Sequence, residues 1–271
     1  MSLVVLGPGL VGSFLGAAAG AERCVARPGG KPRARLVRLP GRPKPVTWQP
    51  RGATLADLDP TSPLLVATGI PDTPWNALPT QALVAQNGLG QPRPVLTCFL
   101  ALDVGPDGAV RHVGPPPRVV LADPGPAWAM IIAAWRAACL AVEVVADPRP
   151  AQWEKAILNA TVGPLCLATG LGMGEVWADP ALRSLTMEAT GEGVAIARAS
   201  GIAIDDGMAE RAAAFFAQVG DHRPSLLKHA GELPWVLGHL QRAAQRAGLA
   251  RPALEAIAGL VEARAAHAAE R

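Results

Sequence analysis

S-L-V-V-L-G-P-G-L-V-G, residues Ser2–Gly12, is the stretch that decides the fold. Ser2–Leu6 is a short apolar run with the length and content of a buried parallel strand. Gly7, Pro8, Gly9, Leu10, Val11 and Gly12 follow as G-x-G-x-x-G and open an apolar helix expected at Leu10–Ala19. The first glycine permits a tight turn. The second lets a pyrophosphate approach the backbone, and the third lets the helix pack on the strand. The helix N-terminus then faces the phosphates. A turn that binds no nucleotide can carry the same glycines, so the strand before and the helix after are what make this a dinucleotide-binding turn. The uncharged run Leu3–Gly20 also imitates a signal peptide, but no Lys or Arg precedes it. Pro8 and the glycines make it a poor membrane span.

Outward from that turn, Arg23–Ala26 is the next expected strand. A NAD-specific fold places Asp or Glu at its end, about twenty residues past the first glycine, for the ribose 2′-hydroxyl. Arg27 stands there instead, followed by Lys31 and Arg33. Those cations suit a 2′-phosphate, which points to NADP (NADPH); a solvated basic loop is the alternative. Arg35–Leu39 with Pro45–Gln49, and Val95–Leu102 with Ala109–Val113, read as hairpins. Leu64–Ala67, Ala82–Ala85 and Val142–Val145 read as strands, and Trp128–Leu140 as a helix. Ala82–Ala85 runs into Gln86-Asn87-Gly88-Leu89-Gly90. An Asn at a strand's C-terminal end lies where open α/β sheets bind ligands, although Asn-Gly is also a common turn.

Beyond Asp147-Pro148 no convincing strand remains. Helices are expected at Gln152–Ala168, Pro180–Ser200, Asp205–Gln218, Trp235–Ala247 and Pro252–Ala268. The expected fold class is therefore α/β. Residues 1–148 form an N-terminal Rossmann-type NADP-binding domain, and residues 149–271 an all-helical domain for substrate and dimerisation. Within Gln152–Pro164, Trp153, Ile157 and Ala160 share one helix face, and Lys155 and Asn159 stack one turn apart on its neighbour. Such a pair is common on helix surfaces. It is also a proton donor with its holder: the ammonium can protonate an oxygen gaining charge, and the amide can orient it or bind substrate. The pair follows the domain boundary directly, where a cleft is expected.

Three stretches then line up with one family. The chain resembles the ketopantoate reductases (2-dehydropantoate 2-reductases) in Gly7-x-Gly9-x-x-Gly12, in Gln86-Asn87-Gly88-Leu89-Gly90, and in Trp153-Glu154-Lys155 with Asn159 and Pro164. Weaker matches are Pro224-Ser225-Leu226-Leu227, Glu232-Leu233, Gly238, Arg251-Pro252 and Glu255. Dehydrogenases of the β-hydroxyacid type share the Lys–Asn spacing. The resemblance implies a cytoplasmic NADPH-dependent reductase of a 2-keto acid, placed in pantothenate biosynthesis. It implies Lys155 as general acid, Asn159 as its orienting or substrate-binding partner, and Asn87 beside both the nicotinamide ribose and the substrate. It further implies Ser225 on the substrate carboxylate, Glu232 on a substrate hydroxyl or on Lys155, and Arg27 at the 2′-phosphate. Where the family pattern carries Lys, Asn, Asn, Asp and Asn, this chain carries Gly69, Gly163, Met173, Pro234 and Leu237, and the loop from Ser225 to Glu232 is shorter. Each lost polar group removes a substrate contact that can decide specificity. A keto-acid reductase with an altered pocket and a non-catalytic NADP-binding sensor or partner protein are thus the two readings.

Composition excludes other classes. Half of the 271 residues are apolar and 17% are charged, so a large core is available. A net charge of +3 is too small and scattered for a nucleic-acid footprint. The five histidines show no ligand spacing, so no metal is expected. With no tyrosine in the chain, a tyrosine acid is ruled out. Cys24, Cys98, Cys139 and Cys166 form no C-x-x-C pair, which suits a reduced compartment. A homodimer contact is expected in the helical domain.

Overall fold

The computed structural model describes residues 2–26 and 30–269. The chain divides into two compact units, Met1–Gln86 with Gln91–Pro148, and Asn87–Gly90 with Arg149–Arg271. The first contains β1 (Val4–Leu6), α1 (Leu10–Ala18), β2 (Arg23–Val25), β3 (Arg35–Arg38), β4 (Val46–Trp48), β5 (Arg51–Gly52), β6 (Leu64–Val66), β7 (Ala82–Val84), β8 (Thr97–Val104), β9 (Val110–Leu121), α2 (Ala129–Ala137) and β10 (Ala141–Val144).

One sheet is wholly parallel, in the order β5-β2-β1-β6-β7. Its strand order reverses on either side of β1, the switch point at which doubly wound sheets bind dinucleotides. Side chains alternate across β1. Leu3 and Val5 enter a core with Phe14, Leu15, Trp48, Trp128 and Trp135. Val4 and Leu6 enter a second core with Val25, Leu64, Val66 and Val84. Burial on both faces explains why the strand reads as an unbroken apolar run.

The two expected hairpins, β3–β4 and β8–β9, are antiparallel pairs of a second sheet, ordered β10-β9-β3-β4 with β8 on β9. Helix α1 touches β1 of the first sheet and β3, β4, β8 and β9 of the second, so it is the shared middle layer. Two buried indoles fasten this layer. Trp135 Nε1 donates to the Leu15 carbonyl at 2.9 Å, and Trp48 Nε1 to that of Ala21 at 2.7 Å. Strand β9 runs on past Val113, where the sequence reading ended it. Ala101 pairs with Val113 and Phe99 with Arg118, so Gly114-Pro115-Pro116-Pro117 bulge opposite Leu100 alone. Prolines lack the N–H that a ladder needs, and an irregularity is where a strand tolerates them.

The second unit is helical: α3 (Arg149–Thr169), α4 (Met173–Ala178), α5 (Pro180–Ala199), α6 (Met208–Gln218), α7 (Leu233–Ala247) and α8 (Pro252–Ala269). The fold class read from the sequence is the one observed. Helix α3 is the hub, touching α4, α5, α7 and α8, and Ala160–Cys166 are buried along it. Close packing on α5 requires a glycine, because a Cβ on Gly193 would lie 2.9 Å from both Cγ atoms of Ile157. Asp179 caps α5 through the amides of Ala181 and Leu182. The Glu192 carboxylate takes the first free amides of α8, those of Ala253 and Leu254. Two expectations need correction. Helix α4 was not anticipated, and α6 starts at Met208 rather than Asp205. Asp205 Oδ1 accepts the Gly207 amide at 2.8 Å in a turn that precedes the helix.

Candidate active site

In the first unit the three glycines of the turn differ in what surrounds them. Gly7 has φ +90°, and a Cβ there would lie 2.8 Å from the backbone nitrogen and Cγ2 of Thr68. A Cβ on Gly12 would strike the Gly7 carbonyl and lie 2.9 Å from Val5 Cγ1, so the third glycine is what lets α1 sit on β1. At Gly9 a Cβ would meet nothing within 4 Å. Gly9 is the N-cap of α1, with no side-chain capping bond and no acid in the first turn. An uncapped helix N-terminus over open space fits a pyrophosphate, since its amides and dipole favour an anion. Pro8 and Val11 complete the turn, Pro8 through a 3.2 Å bond from Ser13 Oγ to its carbonyl. Lys31 is exposed on the segment that follows β2. Arg27 lies outside the described residues.

After β6, Gly69 stands where an ammonium was expected, and hydroxyls hold the segment instead. Thr73 Oγ1 donates to the Gly69 carbonyl at 2.9 Å and accepts from Gln86 Nε2 at 2.7 Å. Its one proton is thereby used, so the Thr68 hydroxyl, 2.8 Å away, is the donor between the two. Gln86 Nε2 also donates to the Thr68 carbonyl at 2.9 Å. Gln86 Oε1 is buried with no hydrogen-bond partner.

In the second unit, three residues read as substrate contacts meet. Asn159 Nδ2 on α3 donates to Asn87 Oδ1 at 2.8 Å, and Asn87 Nδ2 donates to Ser225 Oγ at 3.2 Å. Asn87 and Ser225 are 138 positions apart in the chain. The direction of this chain of bonds determines which groups remain for a ligand. Asn159 keeps its carbonyl oxygen as an acceptor, and Ser225 keeps its hydroxyl proton as a donor. Lys155 is half-buried one turn before Asn159. Its neighbour Glu154 is drawn elsewhere, to Arg211 of α6 at 3.4 Å.

The glycines beside Asn87 explain how it is held. Gly88 has φ +87°, and a Cβ there would collide with the Trp235 backbone carbonyl in the first turn of α7. Gly90 has φ +86°, and its Cβ would lie 3.0 Å from His239 Cε1, one turn further along. Burial, then the nearby Arg242 and Arg246, hold the His239 imidazole below its usual range. Asn87–Gly90 therefore lies along α7. Glu232 is the half-buried N-cap residue of α7, three positions before Trp235. Sequence reading had given His239 no place beside Asn87. Its signal was indirect: Gly88 and Gly90, two glycines within three residues, mark a backbone that something approaches closely. Among the described residues no group of His, Cys, Asp or Glu is placed to hold a metal, and no helix is long and apolar enough to cross a membrane.

Comparison with known proteins agrees with the resemblance read from the sequence. The family model described as Ketopantoate reductase PanE/ApbA C terminal matches residues 147–265. No curated protein matches the chain. Among solved structures, 2-dehydropantoate 2-reductase from Geobacter metallireducens is 23% identical, with a TM-score of 0.77 over 97% of this chain and 99% of that one. A dimeric ketopantoate reductase from Staphylococcus aureus is 17% identical, with a TM-score of 0.73 over 97% and 98%. D-mandelate dehydrogenase, in a ternary structure with NADH and anilino(oxo)acetate, is 17% identical, with a TM-score of 0.77 over 97% and 98%. At these identities the likeness is one of fold.

Proposed function

We propose that this chain, whose helical unit matches the ketopantoate reductase C-terminal family, is an NADPH-dependent reductase that converts a 2-keto acid to its 2-hydroxy acid. The observation that carries the reading is the hydrogen-bonded series Asn159–Asn87–Ser225 beside Lys155. Residues far apart in sequence are joined there, one helical turn from a lysine, and the hydroxyl proton that Ser225 leaves unused suits an oxygen of a keto acid. NADPH, when bound, supplies a hydride to the carbonyl carbon. Gly7, Pro8, Gly9, Leu10, Val11 and Gly12 hold its pyrophosphate, and Arg27 with Lys31 select the 2′-phosphate. Charge then builds on the carbonyl oxygen, and the Lys155 ammonium stabilises it and gives it a proton. The neutral amine recovers a proton from water. Asn159 accepts from the ammonium and so sets its direction. Ser225 donates to the substrate carboxylate, with Asn87 beside it, and Glu232 orders the same region from the start of α7. The expected assembly is a homodimer through the helical unit.

Lys155→Ala tests the assignment. It is expected to abolish keto-acid-dependent NADPH oxidation while leaving NADPH binding, read from tryptophan quenching, nearly intact. Retained turnover would remove Lys155 from its role. A non-catalytic NADP-binding protein of the same fold is the competing reading. It is favoured by Gly69, which offers no side chain at a position where a ligand contact was expected, and steady NADPH oxidation with any 2-keto acid excludes it.

A further inference from the structure

Lys155, Asn159 and Gly163 follow one another at intervals of four on α3 and share a face. The first two are polar, and the third has no side chain. What lies over Gly163 is Leu226. A Cβ at residue 163 would be 3.6 Å from Leu226 Cδ2 and 4.0 Å from Leu226 Cβ. Those are ordinary contact distances, so Leu226 fills the volume that a longer side chain at 163 would enter. Leu226 is 5% exposed and directly follows Ser225, so the polar series ends against hydrocarbon. The nearest hydroxyl on α3 is committed elsewhere: Thr161 Oγ1 is buried and shared between the carbonyls of Ile157 and Leu158, at 3.1 and 3.2 Å. The donors at one end of this face suit the carboxylate and carbonyl oxygens of a keto acid. Beyond them the face offers carbon.

We propose that Gly163 and Leu226 set specificity, and that the substrate is a 2-keto acid whose carbonyl carbon bears an apolar group, a branched alkyl or aryl group without a hydroxyl. This rests on the reductase reading above. A hydroxyl placed against Leu226 loses its water and gains no partner, a penalty that an apolar pocket imposes as a modest preference rather than an absolute one.

The test is a matched pair. Ketopantoate and 3,3-dimethyl-2-oxobutanoate differ by a single hydroxyl. The purified full-length protein with NADPH is expected to show kcat/KM for the deoxy compound about 10-fold to 100-fold above that for ketopantoate. Leu226→Asn is expected to shift this ratio toward ketopantoate by about 10-fold, and Leu226→Met to leave it where it was. Because both substrates are measured on one preparation, partial misfolding of a variant cancels from the ratio. Preference of the unmodified protein for ketopantoate overturns the inference and leaves the reductase reading standing, as does a ratio that Leu226→Asn does not move. No oxidation with either compound, with phenylglyoxylate or with pyruvate, while NADPH binding persists, overturns the reductase reading and this inference with it.

Discussion

Replacing Gly88 with alanine should damage the donor series without touching any of its members. Two costs combine. Gly88 sits at φ +87°, a region in which an L side chain costs roughly 1–2 kcal/mol. Its new Cβ would also collide with the Trp235 carbonyl, a backbone atom of a helix that has no rotamer to relieve it. Forcing such a contact costs about 1–3 kcal/mol more. Gly201→Ala separates the two. Gly201 lies in the same unit at φ +75°, with nothing within 4 Å of its Cβ, so it carries the backbone cost alone. Urea titrations followed by helical circular dichroism are expected to place Gly88→Ala about 1–3 kcal/mol below Gly201→Ala. Keto-acid reduction should fall with it, by roughly 100-fold for a displacement of about 1 Å at Asn87, whereas Gly201→Ala keeps its rate. Equal stability of the two variants, or full activity of Gly88→Ala, would refute the account of how Asn87 is held.

Two further outcomes follow from the same geometry. Asn159→Ala removes the donor to Asn87 Oδ1 and is expected to cost about 1 kcal/mol in urea titration. It should also lower kcat by about 100-fold with little change in NADPH affinity; a kcat unchanged from the parent would show that Asn159 neither orients Lys155 nor binds substrate. Burial pushes the Cys166 thiol from 9.0 up to about 12, so the native chain holds this proton at pH values where the unfolded chain has released it. Its contribution to stability is therefore complete below pH 9 and is lost as pH rises toward 12. Melting temperatures for the protein and for Cys166→Ala should converge across that interval, and parallel curves would contradict it.

How legible the chain was depended on how local each signal is. The glycine turn, the apolar strands around it and the long helices all announce themselves within a few residues, and each is where the sequence placed it to within a turn. Helix α4 was missed because six residues between Gly172 and Asp179 are too few to show a period. Strand β9 was cut short because three prolines normally end a strand, and only the pairing on both sides of the bulge shows that it continues. The convergence of Asn87, Asn159 and Ser225 was legible only by resemblance, since no spacing rule links positions in a strand end, a helix and a later short turn. The hydrocarbon over Gly163 could not be read at all, because an absent side chain says nothing about which distant residue fills its place. Position in the sequence alone carries the reading of Arg27.

Asn87–Gly90 clusters with the helical unit although Gln86 and Gln91, its neighbours in the chain, belong to the other. The gene is therefore less modular than its order of strands and helices suggests. A recombination breakpoint at residue 148 would deliver Asn159 and Ser225 without the amide that joins them, together with an α7 whose first turns have lost the segment lying along them. A chimera built at that junction inherits the lysine of one parent and the asparagine of another. Exchange of helical halves between relatives succeeds only if a four-residue piece, encoded some sixty codons upstream, travels too.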